Sequence, residues 1–217
     1  MYVPPHFDER RSEVLQGLIT NHPFGTLVTH GASGLDANHI PFELVAGDHG
    51  PSALRAHVAR ANPVWQDVKD GDEVLAIFGA GDAYVSPSSY PSKHEHHRQV
   101  PTWNYRVVHV HGRITVRDDV KFVRGVVGRL TRTHEAAMAV PWKMTDAPKD
   151  YLEALLLAIV GLEIAITRIV GKSKLSQNKD ARDLRGAAEA LHARGEQVIG
   201  DAMRDALAAK VGGRDDQ

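Results

Sequence analysis

Apolar residues recur with two different periods in the first half of the chain. Between Asp8 and Thr20 they fall at helical spacing, which predicts a first helix. Short apolar stretches separated by glycine-containing turns follow, and this pattern is typical of strands. The predicted strands cover residues 25–30, 35–45, 53–57, 73–78 and 83–85. The fourth stretch is almost entirely apolar, so we expect a central strand buried on both faces, ending in a turn from Gly79 to Asp82.

The second half of the chain combines two longer strands with helical segments. Asp118 and Asp119 suit the N-terminus of a helix, because carboxylates cap the free amides there. Gly195 falls within a long alanine-rich helical segment and predicts an interruption. The predicted strands cover residues 103–116 and 164–170, the predicted helices begin near residue 118 and cover 146–161 and 180–210, and residues 212–217 are predicted to be disordered.

The order of the elements indicates the fold class. Strands come first, and helices with one returning strand follow, so the chain is not an alternating βαβ protein. We predict a mainly β protein of the α+β class, with a small closed or partly open barrel and helices packed outside it. The predicted domains are residues 1–178, a barrel domain with inserted helices, and residues 179–217, a helical extension with a disordered tail.

Composition narrows the function classes. The 217 residues include no cysteine, which excludes disulfides, thiolate metal sites and cysteine nucleophiles. Charge is nearly balanced, with 26 Lys and Arg against 27 Asp and Glu, so no overall basic field indicates nucleic-acid binding. No apolar run is long enough for a membrane helix, and the N-terminus lacks the apolar core of a signal peptide. We therefore expect a cytoplasmic protein with no membrane partner.

The polar and aromatic stretch from Tyr84 to Gly112 is the predicted centre of the protein, because a loop held between strands commonly presents a site. Three familiar motifs fail within or beside it. Gly79-Ala-Gly81 precedes a proline-rich loop instead of the helix that a dinucleotide site requires. The serines near Tyr84 lie in no Gly-x-Ser-x-Gly turn. The loop from His94 to His97 lacks a third or fourth metal ligand, so we expect a solvated charged loop and assign no metal.

Two segments carry chemistry that suits an anion. The segment from His57 to Asn62 ends a strand with a histidine, an arginine and an asparagine, and such a turn can hold a phosphate. The alternative is a structural pair between Arg60 and a nearby acid such as Asp67 or Asp70. The segment from Lys172 to Asn178 is cationic and rich in hydrogen-bonding groups, which suits either DNA or a cofactor, although no recognition-helix pair accompanies it.

Several long blocks, in order, resemble one family. The chain is similar to the PaiB-type, FMN-binding negative transcriptional regulators, which have the FMN-binding split-barrel fold of pyridoxamine 5′-phosphate oxidase. The resemblance runs to about Gly186, and Ser89 and Ser173 stand where the family has tryptophan. The matching blocks are PFGTLVT (23–29), HIPFEL (39–44), HVARANPVW (57–65), AYVSPSSYPSK (83–93), VPTWNY (100–105), VHVHG (108–112), IVGLEI (159–164) and GKSKLSQN (171–178).

The resemblance implies a homodimer with FMN at the interface between its subunits, and it implies the residues that hold the cofactor. Arg60 would be the main cation for the phosphate, with His57 and Asn62 in the same turn. Asn38 and His39 would approach the isoalloxazine. Residues of the partner subunit and of the segment after the last strand would complete the site: Thr102, Trp103, Asn104, Lys174, Ser176, Gln177 and Asn178.

Three functions remain open from the sequence. The first is an FMN-binding negative transcriptional regulator whose effect need not involve direct DNA contact. The second is a flavin-dependent oxidoreductase that uses NADH or NADPH, because a flavin carries redox chemistry that the protein orients and tunes. The third is haem binding, which the 13 histidines and related split barrels suggest. No catalytic residue is assigned.

Overall fold

The computed structural model describes residues 1–32, 34–48 and 50–212. Of the residues predicted to be disordered, 213–217 lie outside the described part, and the prediction is wrong for Gly212, which ends a helix. Eight strands, seven α-helices and three short 3₁₀ helices are present in the described residues. The strands are β1 (Asp8–Glu9), β2 (Phe24–Gly31), β3 (Gly34–Pro41), β4 (Glu43–Gly47), β5 (Gly50–Ala59), β6 (Glu73–Val85), β7 (Thr102–Arg117) and β8 (Ile159–Lys174). The helices are α1 (Ser12–Asn21), α2 (Val64–Asp67), α3 (Lys93–His96), α4 (Val120–Glu135), α5 (Lys149–Leu157), α6 (Ala181–Ala193) and α7 (Gln197–Gly212).

One sheet contains all eight strands, in the order β3-β2-β6-β7-β8-β5-β4, and β1 pairs with β8 beside this path. The pairings of β2 with β3 and β6, of β4 with β5, and of β5 and β1 with β8 are antiparallel. β6 lies inside the sheet, as its apolar sequence predicts. The predicted burial on both faces is wrong, because Val74, Ala76 and Phe78 are buried on one face while Leu75 and Ile77 on the other are partly exposed. The predicted class, mainly β with C-terminal helices, is confirmed.

The chain divides into two compact units. One boundary directly precedes α1, and the other three fall within β6, β7 and β8. The first unit contains Met1–Arg11, Gly79–Val108 and the chain from Val170 onward. Its core forms where α6 and α7 bury their apolar faces on the ends of strands. Fully or almost fully buried members of this core include Val85, Tyr90, Leu184, Leu191, Ile199 and Met203.

The second unit contains Ser12–Phe78 and His109–Ile169. Alternation along its strands places one set of side chains inside, including Leu27 and Leu54, which are completely buried. The rings of Phe42 and Phe78 meet edge to face with centroids 5.4 Å apart, a favoured aromatic geometry. Asp119 accepts a hydrogen bond from the backbone N–H of Phe122 and caps α4, as predicted.

Two predicted boundaries are wrong. The predicted turn at Gly79–Asp82 is part of the continuous strand β6. The helix predicted to reach Gly161 ends at Leu157, and β8 begins two residues later. At Gly161 a Cβ would lie 2.6 Å from the Phe122 ring and 2.9 Å from the carbonyl oxygen of Arg117, so the glycine permits a close approach instead of ending a helix.

A third difference concerns the strand predicted over residues 35–45, which is interrupted at Phe42 between β3 and β4. The backbone N–H of Phe42 donates to the carbonyl oxygen of Pro23 instead of to a neighbouring strand. The interruption predicted at Gly195 is confirmed, because this residue has φ +81° between α6 and α7. Among the described residues, every helix is too short or too polar to cross a membrane.

Candidate functional site

The turn after β5 holds Arg60 in a dense set of contacts within the second unit. Its guanidinium donates to both carboxylate oxygens of Asp118, at 2.5 and 2.9 Å. It also donates to the backbone carbonyls of Leu157 and Ile159, at 2.7 and 3.3 Å. The prediction that Arg60 pairs with Asp67 or Asp70 is therefore wrong. Its acidic partner is Asp118, two positions before the start of α4.

This pairing favours the charged form of both groups. The hydrogen bond from Arg60 lowers the pKa of Asp118, and the same bond raises the pKa of Arg60. The indole of Trp65 lies beneath the guanidinium at 5.7 Å and donates to the carbonyl oxygen of Arg60 at 2.9 Å. Arg60 is thus held by several partners, and its two Nη groups bind the Asp118 carboxylate.

Most backbone amides of the turn are already used. The N–H of Arg60 donates to the carbonyl of Ala158, and that of Asn62 donates to the carbonyl of Ala59. The Asn62 side chain accepts from the N–H of Val64 at 3.0 Å and donates to Asn38 at 2.7 Å. The structure therefore brings the predicted residues Asn38, Arg60 and Asn62 into one region. The backbone N–H groups of Arg60 and Asn62 are already bonded, so a ligand here would contact side chains.

The two predicted histidines of this region differ in environment. His57 is largely buried on β5, and its Nδ1 has no hydrogen-bond partner within residues 1–32, 34–48 and 50–212. Burial lowers the pKa of His57, so the neutral imidazole is favoured. His39 on β3 lies beside the exposed ring of Phe24, with centroids 6.5 Å apart.

The first unit contains a pocket of about 210 Å³ that is lined by five of the predicted cofactor residues. They are Thr102, Asn104, Lys174, Ser176 and Asn178. Lys179 supplies a second ammonium group, and Phe7, Tyr90, Val100 and Pro101 complete the lining, which contains no carboxylate. We refer to this cavity as the lysine pocket.

Lys174 is held at the end of β8 by the start of β7. Its ammonium group donates to the hydroxyl of Thr102 and, at 2.7 Å, to the backbone carbonyl of Trp103. Partial burial lowers the pKa of Lys174. Lys179 donates to Gln99 at 2.6 Å and lies 5.3 Å from the centre of the Tyr90 ring. Both cations are therefore positioned by neutral groups, and no carboxylate in the lining balances their positive charge.

A buried polar network forms one wall of the lysine pocket. The hydroxyl of Ser176 lies 3.1 Å from that of Tyr90 and accepts from the Asn104 side chain at 2.9 Å. Asn104 is completely buried and also contacts the sulfur of Met203 at 3.3 Å. Ser176 has φ +65°, a left-handed conformation that is uncommon for serine. The sequence identified Asn104 and Ser176 but not Tyr90, which no local motif marks.

Two predicted residues lie outside the lining of the lysine pocket. Trp103 is 55% exposed and meets Tyr84 edge to face at 5.9 Å. Gln177 is used locally, because its side chain accepts from the N–H of Leu175 and donates to the carbonyl of Ser173. Ser173 is itself buried.

The histidine-rich loop forms a short helix, α3. Glu95 pairs with Arg182, with nitrogen–oxygen distances of 2.5 and 2.8 Å, and His96 accepts from the N–H of Arg98. In the part of the chain that the structure describes, no group of three His, Asp or Glu residues is arranged to hold a metal ion.

Comparison with known proteins decides the family. Residues 1–168 match the family described as "Putative FMN-binding domain". The chain belongs to this FMN-binding family. The family assignment made from the sequence and the prediction of FMN as the cofactor are both confirmed by this match.

Among relatives, the chain is similar to "Protease synthase and sporulation protein PAI 2" of Bacillus subtilis, with 29% identity over 88% of this chain and 89% of the relative. An uncharacterised protein of Aspergillus fumigatus is 32% identical over 91% of this chain and 93% of its own length.

Solved structures confirm the fold of this family member. The FAD and heme binding protein from Mycobacterium smegmatis is 18% identical, covers 77% of this chain and 73% of its own, and has a TM-score of 0.52. The conserved hypothetical protein Rv2991 from Mycobacterium tuberculosis is 14% identical, covers 83% of this chain and 94% of its own, and has a TM-score of 0.54. The predicted split-barrel fold is confirmed.

The lysine pocket fits part of an FMN molecule. Its volume of about 210 Å³ lies below the roughly 300–1,000 Å³ of pockets that enclose a whole drug-sized ligand. Its hydroxyl, amide and ammonium groups match the carbonyl and imide groups of the isoalloxazine, and its apolar lining matches the flat ring. The residues present therefore suit one end of the flavin.

Proposed function

We propose that this protein is an FMN-binding, regulator-like homodimer that carries its flavin at the subunit interface. The observation that supports this most is the lysine pocket, which gathers five of the predicted cofactor residues in one place. The regulatory role rests on the similarity to the sporulation protein of Bacillus subtilis, over most of both chains. The proposed location is the cytoplasm.

In this proposal the lysine pocket receives the polar edge of the isoalloxazine. Ser176 and Asn178 offer hydrogen bonds to the ring carbonyls and imide, and the buried Asn104 holds the Ser176 hydroxyl in place. Lys174 places a positive charge beside them, where it favours the negative charge that a reduced flavin carries. FMN, when bound, supplies the redox chemistry, and the protein positions and tunes it.

The proposed phosphate cation is Arg60 of the second unit. Its guanidinium is already oriented by Leu157 and Ile159, and Asp118 now occupies its two outer nitrogens. A phosphate would take the place of the Asp118 carboxylate, since both bind a guanidinium through two parallel hydrogen bonds. Asp118 is therefore a competitor of the cofactor.

The experiment that tests this assignment is FMN titration of Arg60 and Asp118 variants, followed by flavin fluorescence. Arg60→Ala removes a charge-assisted bond worth about 1.5–3 kcal/mol, so FMN affinity should fall by about 10- to 100-fold. Asp118→Asn removes the competitor and should raise the affinity. The control is Arg113→Ala, because Arg113 is in the same unit and makes one bond to a backbone carbonyl. Weaker FMN binding in Asp118→Asn would contradict the competition.

The regulatory effect is proposed to act without direct DNA contact, because the formal net charge of the chain is −1. Fluorescence anisotropy with duplex DNA at physiological salt tests this. We expect only weak binding that is insensitive to sequence. Tight binding to a specific operator, with a steep loss of affinity as salt is raised, would show that the protein contacts DNA itself.

A further inference from the structure

We propose that the second unit carries a separate binding site for the phosphate group of a small phosphorylated molecule. The site is a pocket of about 280 Å³ beside β5 and the first half of α4. Arg55, Lys121 and Arg129 line it, together with Gly125 and Phe122. It shares no residue with the lysine pocket or with the turn at Arg60.

The two arginines are anchored in a way that leaves their outer nitrogens available. Arg55 donates from Nε to Glu163 at 2.7 Å, and Arg129 donates from Nε to Glu43. In the described ranges, no hydrogen bond is made by the terminal Nη groups of either residue. A guanidinium fixed at Nε loses little freedom when its Nη groups bind an anion, so both are prepared for a phosphate.

Gly125 supports the same interpretation from the helix side. Glycine inside a helix costs about 0.5–1 kcal/mol relative to alanine. The guanidinium of Arg129 lies over this glycine, and a Cβ there would be 3.1 Å from Nη1. The missing side chain therefore leaves room for the arginine head within the pocket.

The donors of the pocket favour a phosphate over a carboxylate, because a phosphate has more oxygens to accept from Lys121 and from the Nη groups of Arg55 and Arg129. Glu163 and Glu43 pair with Arg55 and Arg129 at Nε, and the lining acid, Asp119, caps α4 through the N–H of Phe122 at 2.7 Å. Within the described residues, none of these three carboxylates accepts a hydrogen bond from the Nη groups of the two arginines. The Phe122 ring lies 5.5 Å from the guanidinium carbon of Arg55 and shields one side of it from water. The ring also offers an apolar surface to the organic part of a phosphorylated ligand.

Phosphorus NMR titration at low ionic strength tests the proposal, with the protein first saturated with FMN. Inorganic phosphate is the first probe and glycerol phosphate the second. Lys121→Gln and Arg129→Gln should each weaken phosphate binding by about tenfold, since each removes a bond to a charged group. Tighter binding of glycerol phosphate would identify a phosphorylated small molecule as the ligand, and tighter binding of inorganic phosphate would identify the free ion.

Matched controls separate this site from its surroundings. Arg117→Gln should leave phosphate affinity unchanged, because Arg117 also pairs with Glu163 and contacts Phe122 but does not line the pocket. Gly125→Ala should keep the fold and weaken binding by displacing the Arg129 head. Phosphate affinity that is unchanged in both the Lys121 and Gly125 variants, or lost in Lys174→Met instead, would overturn the proposal.

Discussion

Replacing Asp183 by asparagine alters a buried hydrogen-bond network in the first unit while keeping the shape of the side chain. Asp183 is only 2% exposed. One carboxylate oxygen accepts from the N–H of Ser92 at 2.9 Å. The other accepts from the hydroxyl of Ser92 at 2.6 Å and from the amide of Gln99 at 2.9 Å. Three donors therefore converge on a group that only accepts.

The cost of the substitution follows from this geometry. An asparagine can keep the bond from the Ser92 N–H, but its NH₂ group then faces the donor of Gln99. Rotating the Gln99 amide would relieve the conflict, but it would also remove the oxygen that accepts from Lys179. Losing one to two charge-assisted bonds, with a buried donor left unsatisfied, should lower the free energy of unfolding by about 2–4 kcal/mol.

Urea unfolding, followed by far-UV circular dichroism, measures this change. With a slope of about 2 kcal/mol per molar urea, the midpoint should fall by about 1–2 M. Asp180→Asn is the matched control, because Asp180 lies three residues earlier and caps α6 from an exposed position. Asparagine caps helices as well as aspartate, so its midpoint should hardly move. Equal midpoint shifts in the two variants would refute the reasoning.

Two further predictions concern the second unit. Gly112→Ala would place a Cβ 2.5 Å from the carbonyl oxygen of Ala165, so the free energy of unfolding should fall by about 1–3 kcal/mol in urea unfolding. Gly79→Ala, with open space around its Cβ, should change it little, and equal losses would contradict the steric cause. Burial lowers the pKa of His57, so as the pH falls this histidine is protonated in the unfolded chain before it is protonated in the folded protein. The free energy of unfolding should therefore decline as the pH falls below about 6.5. Urea midpoints between pH 7.5 and pH 5.5 should therefore fall less in His57→Gln than in the unmodified protein, and parallel profiles would show that this histidine is not the cause.

Local pattern predicted most strands and helices of this protein, and its failures have a common cause. The glycines of the predicted turn after residue 78 lie inside β6. At Gly81 a Cβ would approach Val198 of α7 to 2.9 Å, so this glycine allows the helix to pack on the strand. A glycine that ends an element and one that admits a distant neighbour look alike in the sequence, because the neighbour is more than a hundred positions away.

In the candidate site, too, the sequence predicted individual residues but not the contacts between residues far apart in the chain. The family blocks in the sequence were sufficient to identify five residues that line the lysine pocket. They did not reveal that Asp118 pairs with Arg60, since 58 positions separate the two. Asp183 and Ser92, 91 positions apart, were likewise missed as a network. Only the folded chain brings these partners together.

The claim that this protein binds FMN through the lysine pocket is tested most directly by one titration. The purified protein is freed of cofactor, and FMN is added while the flavin absorbance bands and fluorescence are followed. We expect saturable binding with shifted flavin bands, and weaker binding in Lys174→Met, which keeps an unbranched side chain one atom shorter and removes its charge. The control Lys121→Gln should bind FMN as the unmodified protein does. A protein that leaves the flavin spectrum unchanged at all concentrations, or a Lys174→Met variant with full affinity, would contradict the account.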